Sequence, residues 1–352
     1  MKRAIAYDWI DSQGGAERLL PVIFDAYPDA DIFTLYTDYD KAPWARKYQK
    51  RIHTSILQPL YQLIQSKRAL AFLMPLAAAL LPLDQYDTVL TITSSFLKGV
   101  RTKPNAHICY LFAPTRFLWQ EEKTYGIASK LLAPLKYLDW HSAQKPATLL
   151  TLSRHSIKQI QAIYGREAQL LYPPFNPSYL RHSSKPTVPL PASYFLFVGR
   201  LEPYKRVEVL IDAWNSYAMK ESLVIVGSGS QRRVLERWAK NNHRIHFVPY
   251  ISDAHLSYVY RHARALLMPQ IEDFGYTALE SAYCNTPVIA YKKSGVWEAV
   301  SRDKPNASIA TQTPEGVYAA LANFHTSSYN DIPIAQGVPT PVEFIKRLRA
   351  IF

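Results

Sequence analysis

A chain of 352 residues is longer than one ordinary core requires and suits two domains of about 150 residues each. Hydrophobic content of 48% with 13% aromatics excludes disorder, and no apolar run reaches the roughly 18–20 residues of a membrane span. A net charge of +13 asks for an anionic partner, but the Lys and Arg residues are spread and carry no recognisable nucleic-acid-binding signature, so nucleic acid is not expected.

The chain opens with a strand-like segment, Arg3 to Tyr7, rather than a charged-then-apolar cleavage pattern, so no signal peptide is expected. Cys109 and Cys284, both in apolar surroundings, fit a reducing cytosol better than a disulfide framework. After the first strand, Asp8 to Arg18 holds the pair Gly14-Gly15 at a strand-to-helix turn, where backbone can approach a phosphate. This is not the Gly-x-Gly-x-x-Gly dinucleotide fingerprint. Further along, Lys67-Arg68 precede the proline-broken apolar stretch Ala69 to Leu81. That stretch reads as a buried helix pair in preference to an interfacial anchor, with an anionic membrane surface kept open as a partner.

Strand-like runs recur at Ile32 to Leu35, Thr88 to Thr93, His107 to Leu111 and Thr148 to Leu152, separated by helix-like segments. The alternation predicts a parallel sheet covered on both faces. The proline-dense stretch 173–192 reads as a linker between a first domain over 1–172 and a second over 193–335. In the second, strands are expected at Tyr194 to Val198, Ser222 to Val226, Ile245 to Val248, Ala265 to Pro269 and Pro287 to Ala290. A final amphipathic helix over 340–352 is expected to pack back on the first domain. The fold class is therefore α/β, with two doubly wound Rossmann-like domains.

The second domain holds the densest chemistry. Gly199-Arg200 and Lys205 leave the first strand together, and two cations on one loop can aim at one diphosphate and stabilise a phosphate leaving group. Gly227 to Gly229 form a glycine turn after the next strand that could touch phosphate or base, while Arg232-Arg233 read as a solvated helix face. Then Glu272-Asp273-Phe274-Gly275-Tyr276-Thr277-Ala278-Leu279-Glu280 follow an apolar strand. One glutamate lies in the loop and one in the helix, which suits two carboxylates accepting from the hydroxyls of one elongated ligand. Glycine at the helix start lets backbone N–H groups meet an anion.

Together these motifs resemble the retaining glycosyltransferases of family 4, most closely bacterial mannosyltransferases of O-antigen assembly. The carriers are Tyr7-Asp8-Trp9 with Gly14 to Arg18, Ser94 to Val100, Pro114 to Trp119, Tyr172-Pro173-Pro174, Gly199-Arg200 with Lys205, and the Glu272 to Glu280 motif. The resemblance implies the GT-B architecture of two domains facing across a cleft, and a nucleotide-sugar donor held mainly by the second. Arg200 and Lys205 would take the diphosphate and Glu280 the ribose. Glu272, Phe274, Gly275, Tyr276 and Thr277 would face the transferred sugar and phosphate, with Gly14, Gly15, Gly199 and Gly227 also lining the donor. No metal or other cofactor is implied, and the acceptor would be a lipid-linked glycan met in the cytoplasm or at the inner membrane face. The family commonly has a histidine where this chain has Phe112, and phenylalanine cannot donate a hydrogen bond. A catalytically degenerate nucleotide-binding or partner-binding protein is the alternative that this departure raises.

Overall fold

The computed structural model describes residues 1–352 apart from 13, 16, 120–128, 250, 301–306 and 325–336. The chain divides into two compact units, one made of Met1–Pro174 with Pro339–Phe352, the other of Phe175–Val338.

In the first unit seven strands pair in parallel: β1 (Arg3–Tyr7), β2 (Asp31–Thr34), β3 (Ile52–Thr54), β4 (Thr88–Thr93), β5 (His107–Leu111), β6 (Thr148–Thr151) and β7 (Gln169–Leu170), in the order β3-β2-β1-β4-β5-β6-β7. The long strands β4 and β5 are runs of β-branched and apolar residues buried on both faces, as central parallel strands must be. The sequence reading omits β3 and β7, which are only three and two residues long and carry no apolar alternation. The helix Pro341–Arg349 begins with a capping box between Thr340 and Glu343 and buries Phe344 beside Tyr110, so the C-terminus completes this unit.

The segment expected as a buried helix pair is buried on one face only. Leu70, Met74, Ala77, Ala78 and Leu81 enter the core, whereas Phe72, Leu73, Leu76 and Leu80 face solvent.

Two motifs of the first unit meet in its interior. Lys98, from the Ser94 to Val100 motif, is fully buried and pairs with the equally buried Asp139 of the helix Ser129–Ala143. Asp139 also accepts from Thr115 Oγ1 (2.7 Å), Trp119 Nε1 (2.8 Å) and Tyr164 Oη (2.6 Å). Both partners are thus hydrogen-bonded throughout, the condition under which a buried charge pair persists. Lys98→Met should cost about 3–5 kcal/mol of unfolding free energy, because it strands a buried carboxylate. Adding Asp139→Leu should recover part of that loss, and guanidinium unfolding of the single and double variants measures the difference.

His107 in β5 is buried, with Nε2 against Thr91 Oγ1 at 2.8 Å, and burial lowers its pKa to about 3. The folded state therefore holds it neutral, so its contribution to stability is complete above its ordinary value of 6.5 and is lost as pH falls toward 3. Between pH 7 and pH 5, His107→Gln should lose about 2 kcal/mol less stability than the native chain, read by denaturant titration at both pH values.

The second unit carries six parallel strands: β8 (Tyr194–Val198), β9 (Ser222–Val226), β10 (Ile245–Val248), β11 (Leu266–Met268), β12 (Val288–Tyr291) and β13 (Ala307–Ile309), ordered β10-β9-β8-β11-β12-β13. The strand β13 was not expected from the sequence. Residues 173–192 are less of a linker than their prolines suggest. Leu180 is buried in the core, Ser257 Oγ donates to its carbonyl at 2.8 Å, and Val188 and Leu190 pack on the same cluster. Proline density marks non-helical, non-strand backbone, and that backbone here is docked rather than free.

Candidate functional site

The strand order of the second unit reverses between β8 and β11, so the loops leaving these neighbouring strands stand side by side at the carboxyl edge of the sheet. The β8 loop carries Arg200 and Lys205, and the β11 loop carries Glu272. The structure joins them: Lys205 Nζ contacts Glu272 Oε1, with both side chains largely buried. The same carboxylate oxygen accepts from Gln270 Nε2 at 2.9 Å. Arg200 is exposed and donates from Nη2 to Tyr204 Oη at 2.7 Å. One cation is therefore locked to an acid at the loop base, and the other stands toward solvent.

The β11 loop is fixed by the turn after β12. The Glu272 N–H donates to Ser294 Oγ at 2.9 Å, and the Gly295 N–H to the Glu272 carbonyl at 2.8 Å. A Cβ on Gly295 would lie 2.4 Å from the Asp273 carbonyl oxygen, so only glycine allows this approach. Sequence reasoning missed Ser294 and Gly295, although a Ser-Gly pair soon after an apolar strand is a readable signal. It also passed over Gln270, which has no motif to mark it.

Gly275 takes a φ of 94° as it delivers the chain into the helix Tyr276–Tyr283, and a side chain there would be strained. No side chain caps this helix start, which leaves its first N–H groups suited to an anion. Phe274 departs from expectation. Its ring is 3% exposed and packs edge-on to Tyr276 at 6.0 Å, so it serves the loop's interior. Tyr276 and Thr277 are partly exposed at the helix start.

Glu280 is 5% exposed on the next turn. Its Oε1 accepts from Tyr179 Oη at 2.7 Å and its Oε2 from Tyr260 Oη at 2.9 Å. Burial, and then the Glu280 charge, push the Tyr260 hydroxyl well above its ordinary pKa, so it stays a donor. The expected carboxylate thus sits in the motif's helix, but two tyrosines, one from the proline-rich segment, already hold it. A carboxylate has about four acceptor positions, so it can accept from more than two hydroxyls.

The glycines after β9 have a different reason from the one expected. Gly227 has a φ of 145°, and a Cβ there would fall 1.9 Å from the Gly199 carbonyl oxygen. The Gly199 N–H donates to Val226 O at 3.1 Å and the Leu201 N–H to Ser228 O at 2.8 Å, which packs one loop on the other. Arg232, expected on a solvated face, instead donates to the Gly227 carbonyl at 2.7 Å and pairs with Glu236. Gly227 thereby shapes the β8 loop that presents Arg200.

In the first unit, Gly14 and Gly15 lie in the turn before the helix Leu19–Ala26, where the Arg18 N–H donates to the Gly14 carbonyl at 3.1 Å. Phe112 is 9% exposed and stacks edge-on to Tyr110 at 5.3 Å, so it gives no side-chain donor.

Residues 181–329, all within the second unit, match the family model described as glycosyl transferases group 1. An uncharacterized glycosyltransferase of Methanocaldococcus jannaschii is 30% identical over 128 residues, 35% of this chain and 33% of that protein. The O-antigen chain mannosyltransferase B of Escherichia coli is 27% identical over 164 residues, covering 43% and 42%. The alignments thus span between a third and a half of these relatives' own lengths. Among solved structures, Anabaena HepE in complex with UDP and glucose superposes with a TM-score of 0.69 at 16% identity, covering 100% of this chain and 99% of that one. The fold is that of the GT-B glycosyltransferases, built from two Rossmann-like parallel-sheet domains.

The glycine packing predicts an asymmetric response to substitution. Gly227→Ala should lower unfolding free energy by about 3 kcal/mol or more, because the new methyl meets a carbonyl and the backbone is strained. Gly165→Ala, at a left-handed helix end with open space around it, should cost only about 1 kcal/mol in the same urea titration.

Proposed function

We propose that the chain is a retaining glycosyltransferase that transfers a hexose from a nucleotide-sugar donor to a lipid-linked or surface polysaccharide acceptor. Mannose from GDP-mannose is the first donor to consider. The observation that carries this reading is the meeting of the Lys205 and Glu272 loops at the strand-order reversal, beside an uncapped helix start and within a region that matches group 1 glycosyl transferases. Arg200, Lys205 and the N–H groups of Tyr276 and Thr277 would take the diphosphate. Glu272 would accept from sugar hydroxyls and Glu280 from the ribose hydroxyls.

In this reading the leaving diphosphate gains charge as the sugar–oxygen bond breaks. Fixed cations and helix N–H groups stabilise that charge without a metal. The Lys205–Glu272 pair pre-positions the lysine, whose three donor hydrogens let it keep the glutamate while reaching a phosphate. The donor phosphate itself would take the acceptor proton, so attack and departure share one face and configuration is retained. The named relatives support a nucleotide-sugar donor and differ in sugar: the mannosyltransferase points to mannose, and HepE was solved with UDP and glucose.

Calorimetric titration with GDP-mannose, UDP-glucose and ADP-glucose tests the donor. One nucleotide sugar should bind, and Lys205→Ala and Arg200→Ala should each weaken it about 10- to 100-fold, as expected for a lost charge-assisted contact. Absence of binding to any donor would overturn the reading. Phe112 favours the second reading, a nucleotide-binding protein without turnover, because its ring is packed away and offers no donor. Binding without transfer, with transfer appearing in Phe112→His, would establish it.

A further inference from the structure

The strand β11 ends at Met268, and Gln270 stands at the root of the loop that carries Glu272. Its backbone is set by its neighbours. Pro269 has a fixed φ, and its carbonyl accepts from Gln312 Nε2 at 2.7 Å. Thr277 Oγ1 donates toward Met268 Sδ at 3.9 Å, which ties the strand end to the start of the motif helix. Within this frame Gln270 is 1% exposed.

One end of its carboxamide is met and the other is not. Nε2 donates to Glu272 Oε1 at 2.9 Å, the oxygen that Lys205 also contacts. The buried Gln270 Oε1 has no hydrogen-bond partner, and among the described residues of the second unit it is the only buried side-chain nitrogen or oxygen so left. Turning the amide over would set its oxygen against the carboxylate, so charge fixes which end faces Glu272. A buried acceptor without a donor carries the desolvation cost of a missing hydrogen bond, and a native chain that keeps one at a candidate site calls for a group to meet it.

We infer, on the donor reading above, that Gln270 recognises the transferred sugar: its Oε1 accepts from a hexose hydroxyl while its Nε2 holds Glu272. Chemistry selects this partner. An amide oxygen only accepts, so it does not pair with the ionised oxygens of a diphosphate, which are acceptors themselves. Glu280 is the carboxylate assigned to the ribose, whereas Gln270 bonds to Glu272, the one assigned to the sugar. A hexose that lacks the matching hydroxyl, or turns it to the other face of the ring, leaves a buried acceptor unmet, and that is the strongest form of discrimination a polar site offers. Gln270 is thus a specificity-determining residue that reads the sugar and not the nucleotide.

The test is calorimetric titration of the full chain with whichever of GDP-mannose, UDP-glucose and ADP-glucose it binds, with the corresponding sugar-free diphosphate, and with each monodeoxy analogue of the sugar. In the native chain at least one monodeoxy donor should bind about tenfold more weakly than the parent. Gln270→Met keeps the side chain's length and removes both amide groups. It should weaken the parent donor about tenfold, leave the diphosphate within about twofold of native, and no longer distinguish the parent from that analogue. Thermal melting checks that the variant is folded, and Gln270→Leu replaces it if it is not.

That role is overturned if the substitution weakens the diphosphate as much as the nucleotide sugar, if it leaves both unchanged, as a bound water on Oε1 would, or if every analogue loses as much in the variant as in the native chain. The donor reading survives each of these results. A native chain that binds no nucleotide sugar overturns both.

Discussion

All strands of each sheet run parallel, so every strand delivers its following loop to the same edge, and the position where strand order reverses is fixed by connectivity alone. In the second unit that position lies between β8 and β11, which are neighbours in the sheet but not in sequence. The Arg200–Lys205 loop and the Glu272 loop meet because of this order. The ion pair between Lys205 and Glu272 is a consequence of the topology, and it orients both side chains before any ligand arrives. Preorganised charge of this kind is worth more than the same groups on mobile stems, since no reorganisation accompanies binding.

The support behind these loops is mostly backbone. Ser294 and Gly295 hold the Glu272 loop, and Gly227 and Arg232 hold the loop that carries Arg200. These supporting residues therefore set where the cations and carboxylates stand. Glu280 is held in another way, by two tyrosine hydroxyls. That arrangement satisfies a buried carboxylate and also ties the proline-rich segment of Tyr179 to the motif helix.

The central strands were legible because parallel strands buried on both faces must be continuous apolar runs, and β4, β5, β8 and β9 start and end as their composition predicts. The edge strands β3, β7 and β13 were not. They are two or three residues long, and edge pairing depends on the neighbour rather than on local pattern. In the candidate site, residue types were legible and their partners were not. Lys205 and Glu272 stand out as charges at strand ends, but their contact spans 67 positions and depends on the strand order. Phe274 reads as part of a binding motif while its ring faces inward. Gly227 reads as a phosphate contact while its missing side chain makes room for a carbonyl. A glycine in sequence announces close approach without naming what approaches.

The first unit solves the same problem of loop placement with charge in place of glycine. Ser94 to Val100 and Pro114 to Trp119, two of the segments on which the family resemblance rests, converge on Asp139, a residue inside a helix that no motif identifies. Much of what looks like a functional signature in this half is therefore a buried polar core. Lys98 pins the end of the loop after β4, Thr115 pins the loop after β5, and one carboxylate holds both. Such a network offers few alternative pairings, because any slip leaves a charge or a hydroxyl unmet in a dry interior. The two loops are thus fixed relative to each other as firmly as backbone contacts fix those of the second unit. The difference lies in what each half tolerates. The second unit is sensitive to an added methyl at Gly227, Gly229 or Gly295, and the first to loss of a single charge far from the surface.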